Sequence, residues 1–179
     1  MEHTEKTLSE NTIFTGRIIT VKQRQVQLEN GRQRSRELVL HPGGAAVLPV
    51  DEDNNVYLIR QFRAPFGRTV LEIPAGKLEK GEDPLAAAKR ELAEETGFSA
   101  AHYFSLGQMW PTVGFCDEVI HIYMAAGLIK GEIHPDEDEF ISLEKYPLET
   151  AWNMCMDGSI TDGKTLTAIL KAARLMKNK

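Results

Sequence analysis

Only two cysteines occur among the 179 residues, Cys116 and Cys155. They are too few and too far apart for a disulfide framework or a cysteine-based zinc site, so both read as free thiols in a reducing compartment. No run approaches the eighteen apolar residues that a membrane helix needs, and a membrane-spanning helix is therefore not expected. The first residues carry Glu2, Glu5 and Glu10 without an apolar core, which is not the pattern of a signal peptide. A basic excess is missing too: 21 Lys and Arg stand against 26 Asp and Glu, a formal charge of −5. Non-specific nucleic-acid binding rests on Lys and Arg neutralising phosphates, so that class is set aside. The expectation is a soluble, cytoplasmic protein. A small anionic substrate stays open, because a bound metal ion reverses the local field.

What is present is enough apolar content, 42%, to close one core, and a length suited to one globular domain with a short appendage. Alternation predicts a strand over Ile18–Leu28. Asn30-Gly31 is a two-residue hairpin signal, with a return strand from Arg36 to Leu40. His41-Pro42-Gly43-Gly44 breaks this pattern, dividing an N-terminal β-domain, residues 1–42, from a main body, residues 43–179. In the body, strands are expected at Ala45–Val50, Val56–Phe62, Thr69–Ile73, Tyr103–Met109, Val119–Ala125 and Phe140–Tyr146. Asp83 caps a helix that starts at Pro84 and stops at Gly97; two more close the chain, at Leu148–Asp157 and Asp162–Lys177. The class is α+β.

Chemistry concentrates in Gly76-Lys-Leu-Glu-Lys-Gly-Glu82, seven residues, and then Arg90-Glu91-Leu92-Ala93-Glu94-Glu95-Thr96-Gly97-Phe98. On a helix, Glu91, Glu94 and Glu95 stand at i, i+3 and i+4 and share one face, while Ala87, Ala88 and Leu92 turn to the core. Three neighbouring anions repel, and a hard divalent cation such as Mg²⁺ resolves the conflict through carboxylate oxygen. Arg90 is placed to pair with one acid and fix its rotamer. A solvated acidic face is the plain alternative for three glutamates alone. Here some eight fixed positions match together, each with a chance of about one in fifteen by composition.

The segment resembles the signature of the Nudix hydrolases, G-x5-E-x7-R-E-U-x-E-E-x-G-U, where U is aliphatic or aromatic. Arg36-Glu37, Arg60-Gln-Phe-Arg63, Leu71-Glu-Ile-Pro-Ala-Gly76 and Asp136-Glu-Asp-Glu-Phe140 resemble the ADP-ribose pyrophosphatase branch of that superfamily. The resemblance implies an α/β/α sandwich around a mixed sheet, with an N-terminal antiparallel β-ribbon exchanged between two subunits of a homodimer. It implies metal ligation by Glu91, Glu95 and the Ala75 carbonyl, with Glu94 joining directly or through water. The metal implied is Mg²⁺, with Mn²⁺ as a substitute. Gly76, Glu82, Arg90 and Gly97 then shape and support the box. The general base falls on Glu137, with Glu139 as the alternate. By the same resemblance Arg63 approaches the substrate's pyrophosphate or ribose, Arg36 and Glu37 reach the neighbouring subunit's site, and Glu118 lies near the terminal ribose. Phe14, Trp110 and Phe115 are candidates for stacking on adenine, with core packing as the default.

The implied reaction cuts the pyrophosphate bond of ADP-ribose, or of a related nucleoside diphosphate sugar, giving AMP and ribose 5-phosphate from ADP-ribose. One departure bears on substrate. The loop Trp110-Pro-Thr-Val-Gly-Phe-Cys-Asp-Glu118 has Val113 where the branch shows the proline associated with ADP-ribose specificity. Valine does not lock φ as proline does. Two alternatives therefore remain, a Nudix pyrophosphatase for another nucleotide sugar or dinucleotide, and a non-catalytic ADP-ribose sensor. Glu95 is expected to behave as a surface carboxylate, adding little to stability, so that Glu95→Gln abolishes turnover while the fold survives.

Overall fold

The computed structural model describes residues 3–132 and 140–177, and its strands fall into two separate sheets. The first is antiparallel and three-stranded, formed by β1 (Lys6–Thr15), β2 (Thr20–Gln27) and β3 (Gln33–Leu40) in that order. Sequence reasoning gave the β2–β3 hairpin and missed β1. The reason is physical: all ten residues of β1 are exposed, so no alternation of burial is written into its sequence. The chain divides into two compact units, one of Met1–Gly43 with Trp110–Val119, the other of Gly44–Met109 with Ile120–Lys179. In the smaller unit the segment Trp110–Val119 runs beside β3. The Val39 N–H donates to the Phe115 carbonyl at 2.8 Å, and the Asp117 N–H donates to the Val39 carbonyl at 3.1 Å.

In the larger unit, β4 (Gly44–Val50) is buried along its whole length. A strand of this kind needs cover on both faces, and its near-continuous apolar sequence reflects that. Alternate residues serve two cores. Ala45 and Val47 pack with Ala87, Ala88 and Leu92 of helix α1 (Pro84–Thr96). Ala46, Leu48 and Val50 pack with Leu148 and Ala151 of α2 (Leu148–Met156) and with Ala168, Ile169 and Ala172 of α3 (Gly163–Met176). The result is three layers, helix, sheet and helices.

The sheet between them contains β5 (Asn55–Arg63), β6 (Arg68–Glu72), β7 (Ala75–Lys77), β8 (Phe98–Met109), β9 (Ile120–Lys130) and β10 (Ser142–Pro147) besides β4. Its order is β10-β5-β4-β9-β8, with β6 on β5 and β7 on β4. The β4–β9 pair is parallel and the others are antiparallel, which makes the sheet mixed. Three-residue β7 had no sequence signal, and β8 begins five residues before its expected start because Ser99-Ala100-Ala101-His102 lacks apolar alternation. Helix α1 has the predicted bounds. The Asp83 carboxylate accepts from the Leu85 and Ala86 N–H groups at 3.1 and 3.0 Å, Pro84 opens the first turn, and Gly97 closes the helix at φ 71°.

Among the described residues, no helix is long and apolar enough to cross a membrane.

Candidate active site

Helix α1 buries Ala87, Ala88, Glu91, Leu92, Glu95 and Thr96, so two acids lie on the side that faces the sheet. Glu91 is 8% exposed and Glu95 is 3% exposed. This corrects the expectation of a surface carboxylate at Glu95. Burying a carboxylate is costly unless it is paired or hydrogen-bonded, and both acids have partners. Glu95 accepts from the Ala75 N–H at 3.0 Å. Glu91 accepts from Arg90 Nη1 at 2.6 Å.

Arg90 holds more than the one acid expected of it. Its Nη1 also donates to Glu94 at 3.0 Å, and its Nε and Nη2 reach the two oxygens of Glu82 at 3.1 and 3.2 Å. Glu82 in turn accepts from the Glu79 N–H at 2.9 Å. The Arg90 hydrogen bond, then that from Glu79, keeps the Glu82 carboxyl below the ordinary glutamate range. One guanidinium thus sets the rotamers of Glu82, Glu91 and Glu94, while Glu95 is fixed by the backbone N–H of Ala75.

The segment from Glu72 to Gly76 is pinned residue by residue. The Ile73 N–H donates to Thr165 Oγ1 at 2.9 Å, the Val47 N–H donates to the Pro74 carbonyl at 2.9 Å, and Gly76 pairs with Ala45 in the sheet. Gly76 is required by space. A Cβ there would stand 1.7 Å from Glu91 Oε1, so the bare glycine makes the cradle for that carboxylate.

Beyond the box, Glu72 is 1% exposed and sits between two cations. Arg63 grips it as a fork, Nε to Oε1 and Nη2 to Oε2, both at 2.7 Å. Lys164 of α3 also donates to Oε2, and its ammonium pairs with Asp162 at 3.1 Å. Burial pushes the Glu72 carboxyl up, but Arg63 and Lys164 outweigh it and hold the group below its ordinary range. Sequence reasoning missed Glu72, Lys164 and Asp162 as site residues. Leu71-Glu-Ile-Pro-Ala-Gly76 contained the acid, but nothing in the sequence links it to Lys164. Gln61 was missed as well. It shares a strand face with Arg63, and among the described residues its Oε1 is the buried side-chain oxygen without a donor.

The larger unit thus brings together Arg63, Ala75, Gly76, Glu82, Arg90, Glu91, Glu94, Glu95 and Gly97. Arg36, Glu37 and Glu118 belong to the smaller unit. There Arg36 pairs with Glu5 of β1, Glu37 is exposed, and Glu118 lies 3.5 Å from His41 Nδ1. Phe14, Trp110 and Phe115 are 55%, 62% and 53% exposed, so the core-packing default for these rings is corrected. Val113 is exposed too. Glu137 and Glu139 lie outside the described residues.

The donor chemistry suits a hard divalent cation. Glu91 and Glu95 stand one helical turn apart against the Ala75–Gly76 strand, and every candidate ligand atom is oxygen. Among the described residues, no three His, Cys, Asp or Glu side chains form a ready cage. Mg²⁺ does not ask for one, since it commonly binds through one or two carboxylates and completes its shell with water and substrate phosphate.

Residues 40–167 match the NUDIX domain family model. The chain is 41% identical over 167 residues to the ADP-ribose pyrophosphatase of Bacillus subtilis (strain 168), covering 92% of this chain and 90% of that one. It is also 41% identical over 179 residues to the methanol dehydrogenase activator of Bacillus methanolicus, covering 98% and 97%. A solved structure described as an ADP compounds hydrolase is similar in fold, with a TM-score of 0.86 at 24% identity over 97% of this chain and 95% of that one. The three-layer fold and the box on α1 define a pyrophosphate-cleaving class of enzyme. The chain belongs to the Nudix family and is a Nudix hydrolase.

Proposed function

We propose that this enzyme hydrolyses the pyrophosphate bond of ADP-ribose in an Mg²⁺-dependent reaction, giving AMP and ribose 5-phosphate. The observation that carries the reading is the pair of buried carboxylates, Glu91 and Glu95, set against the cradle of Gly76 beside the Arg63 fork. Glu91, Glu95 and the Ala75 carbonyl hold the metal, with Glu94 joining them. Bound Mg²⁺, or Mn²⁺ in its place, neutralises the diphosphate and lowers the pKa of a water. Arg90 keeps Glu91 and Glu94 aimed, and Arg63 takes the diphosphate with the part of its guanidinium that Glu72 leaves over. Glu137, or Glu139 as the alternate, accepts the proton of the water that attacks phosphorus in line. Glu118 serves the terminal ribose, and Arg36 and Glu37 serve the neighbouring subunit's site.

Product analysis on ADP-ribose, ADP-glucose, GDP-mannose and NADH, with Mg²⁺ and with EDTA, tests this. AMP and ribose 5-phosphate from ADP-ribose should dominate and should vanish in EDTA. Faster cleavage of another member of the panel transfers the same chemistry to that substrate. Val113 and the differing names borne by two equally similar relatives favour keeping this second reading in view. Tight ADP-ribose binding without turnover would replace both with a sensor.

The partner proposed is a second copy of the chain, joined through the N-terminal β-domain, residues 1–42. Edge strand β1 exposes Leu8, Ile13 and Phe14, the kind of edge that natural proteins cover. Light scattering should give twice the chain mass of 20.0 kDa, and a monomer mass removes the dimer.

A further inference from the structure

The network beneath Arg63 runs from inside to outside. Side-chain exposure is 10% for Lys164, 2% for Glu72 and 37% for Arg63. Glu72 Oε1 accepts from Arg63 Nε, whereas Oε2 is shared by Arg63 Nη2 and Lys164 Nζ. A carboxylate gripped from two directions cannot turn about its last torsion. A fork of this kind uses two of the five guanidinium N–H donors, and the remaining edge is free to meet an anion.

Lys164 is itself fixed by its place in the chain. It lies in the first turn of α3, where Asp162 accepts from the Thr165 N–H at 3.0 Å and also pairs with the Lys164 ammonium. Thr165 Oγ1 receives the Ile73 N–H, next to Glu72. The start of α3 and the end of β6 are thereby locked together at the acid and at the residue that follows it.

We propose that Lys164 is a positioning residue for substrate binding: it anchors the Glu72 carboxylate, which in turn holds the Arg63 guanidinium with its free edge presented to the diphosphate. Without Lys164, Arg63 is the sole counter-ion of a buried carboxylate that is gripped from one direction only, so the carboxylate turns about its last torsion and carries the guanidinium fork with it. The ligand class is a diphosphate ester, and this step rests on the reading of Arg63 given above.

The test is a double-mutant cycle of Lys164→Met and Arg63→Lys on the full-length protein with Mg²⁺, using the diphosphate that the wild type cleaves fastest. Lys164→Met should raise KM about tenfold while changing kcat less, as expected for a displaced binding group. Arg63→Lys should raise KM at least as much, and the double variant should add nothing. Independent effects on KM overturn the proposal, because a merely structural lysine would act without regard to Arg63.

A second readout does not require turnover. The Arg63 Nε–H resonance, assigned by its loss in Arg63→Lys, should shift or broaden in Lys164→Met. An unmoved resonance also overturns the proposal. If the wild type cleaves no diphosphate, the substrate reading fails, and the resonance still decides whether Lys164 positions Arg63. Lys164→Gln is carried in parallel, with melting curves for both variants, so that a misfolded protein is not mistaken for a displaced arginine.

Discussion

Glu95→Gln is expected to lower kcat/KM on ADP-ribose about a thousandfold and to leave the fold in place. The magnitude follows from the several kcal/mol that charge stabilisation at a phosphoryl centre contributes, about 4 kcal/mol being a thousandfold. The survival of the fold has a specific cause, which is not surface exposure. Glu95 is 3% exposed and its Oε2 accepts from the Ala75 N–H. Glutamine has nearly the same shape and keeps an oxygen for that hydrogen bond; what it removes is the charge. The melting temperature should therefore change by less than about 4 °C, the shift expected for about 1 kcal/mol in a domain of this size. Glu95→Ala is the contrasting variant. It orphans the Ala75 N–H and should cost about 1–3 kcal/mol as well as activity. Steady-state kinetics and thermal melts on both variants decide the matter. Wild-type turnover by Glu95→Gln would remove Glu95 from the metal site.

The parts of this molecule that were legible in the sequence are those with local causes. Helix α1 could be bounded to the residue because Asp83, Pro84 and Gly97 each act within a turn of the helix end. Strand β4 announced itself through an apolar run, and the three glutamates through their spacing. Periodicity put Glu91 and Glu95 on a common face but could not say that the face is covered. The cover comes from β7, whose three residues have no pattern of their own, and from a glycine that matters for the Cβ it lacks. The Lys164–Glu72 contact joins residues 92 apart and rests on the meeting of β6 with α3, a tertiary fact. Edge strand β1 is silent for the opposite reason, since a strand without a buried face leaves no alternation to read.

These two kinds of feature also differ in energetics. Capped helix ends and alternating apolar residues stabilise the fold and agree with one another across levels. Glu72, Glu91 and Glu95 do not: each is an acid buried among packed elements, tolerated because Arg63, Lys164, Arg90 or a backbone N–H compensates it. Where local preference is violated and then compensated by groups distant in sequence, function is the expected reason.

Gly76→Ala should separate that function from stability. The backbone of Gly76 does not lie in the left-handed region, so alanine is accommodated there without torsional strain. The obstacle is steric and local: the new methyl group would lie 1.7 Å from Glu91 Oε1 and 2.7 Å from Oε2. A carboxylate is the mobile end of a side chain, and it can swing away, taking with it the hydrogen bond from Arg90 Nη1. The fold should hold to within a few degrees of melting temperature, while the metal loses a ligand set at the required position. The Mg²⁺ concentration for half-maximal activity should rise about tenfold to a hundredfold, the range found when support for a metal ligand is removed. Adding Glu91→Asp shortens the acid by one methylene and restores clearance, so the double variant should need less Mg²⁺ than Gly76→Ala alone. An unchanged Mg²⁺ requirement in Gly76→Ala would mean that the carboxylate in the cradle is not a metal ligand, and Glu91 would then belong to the scaffold held by Arg90.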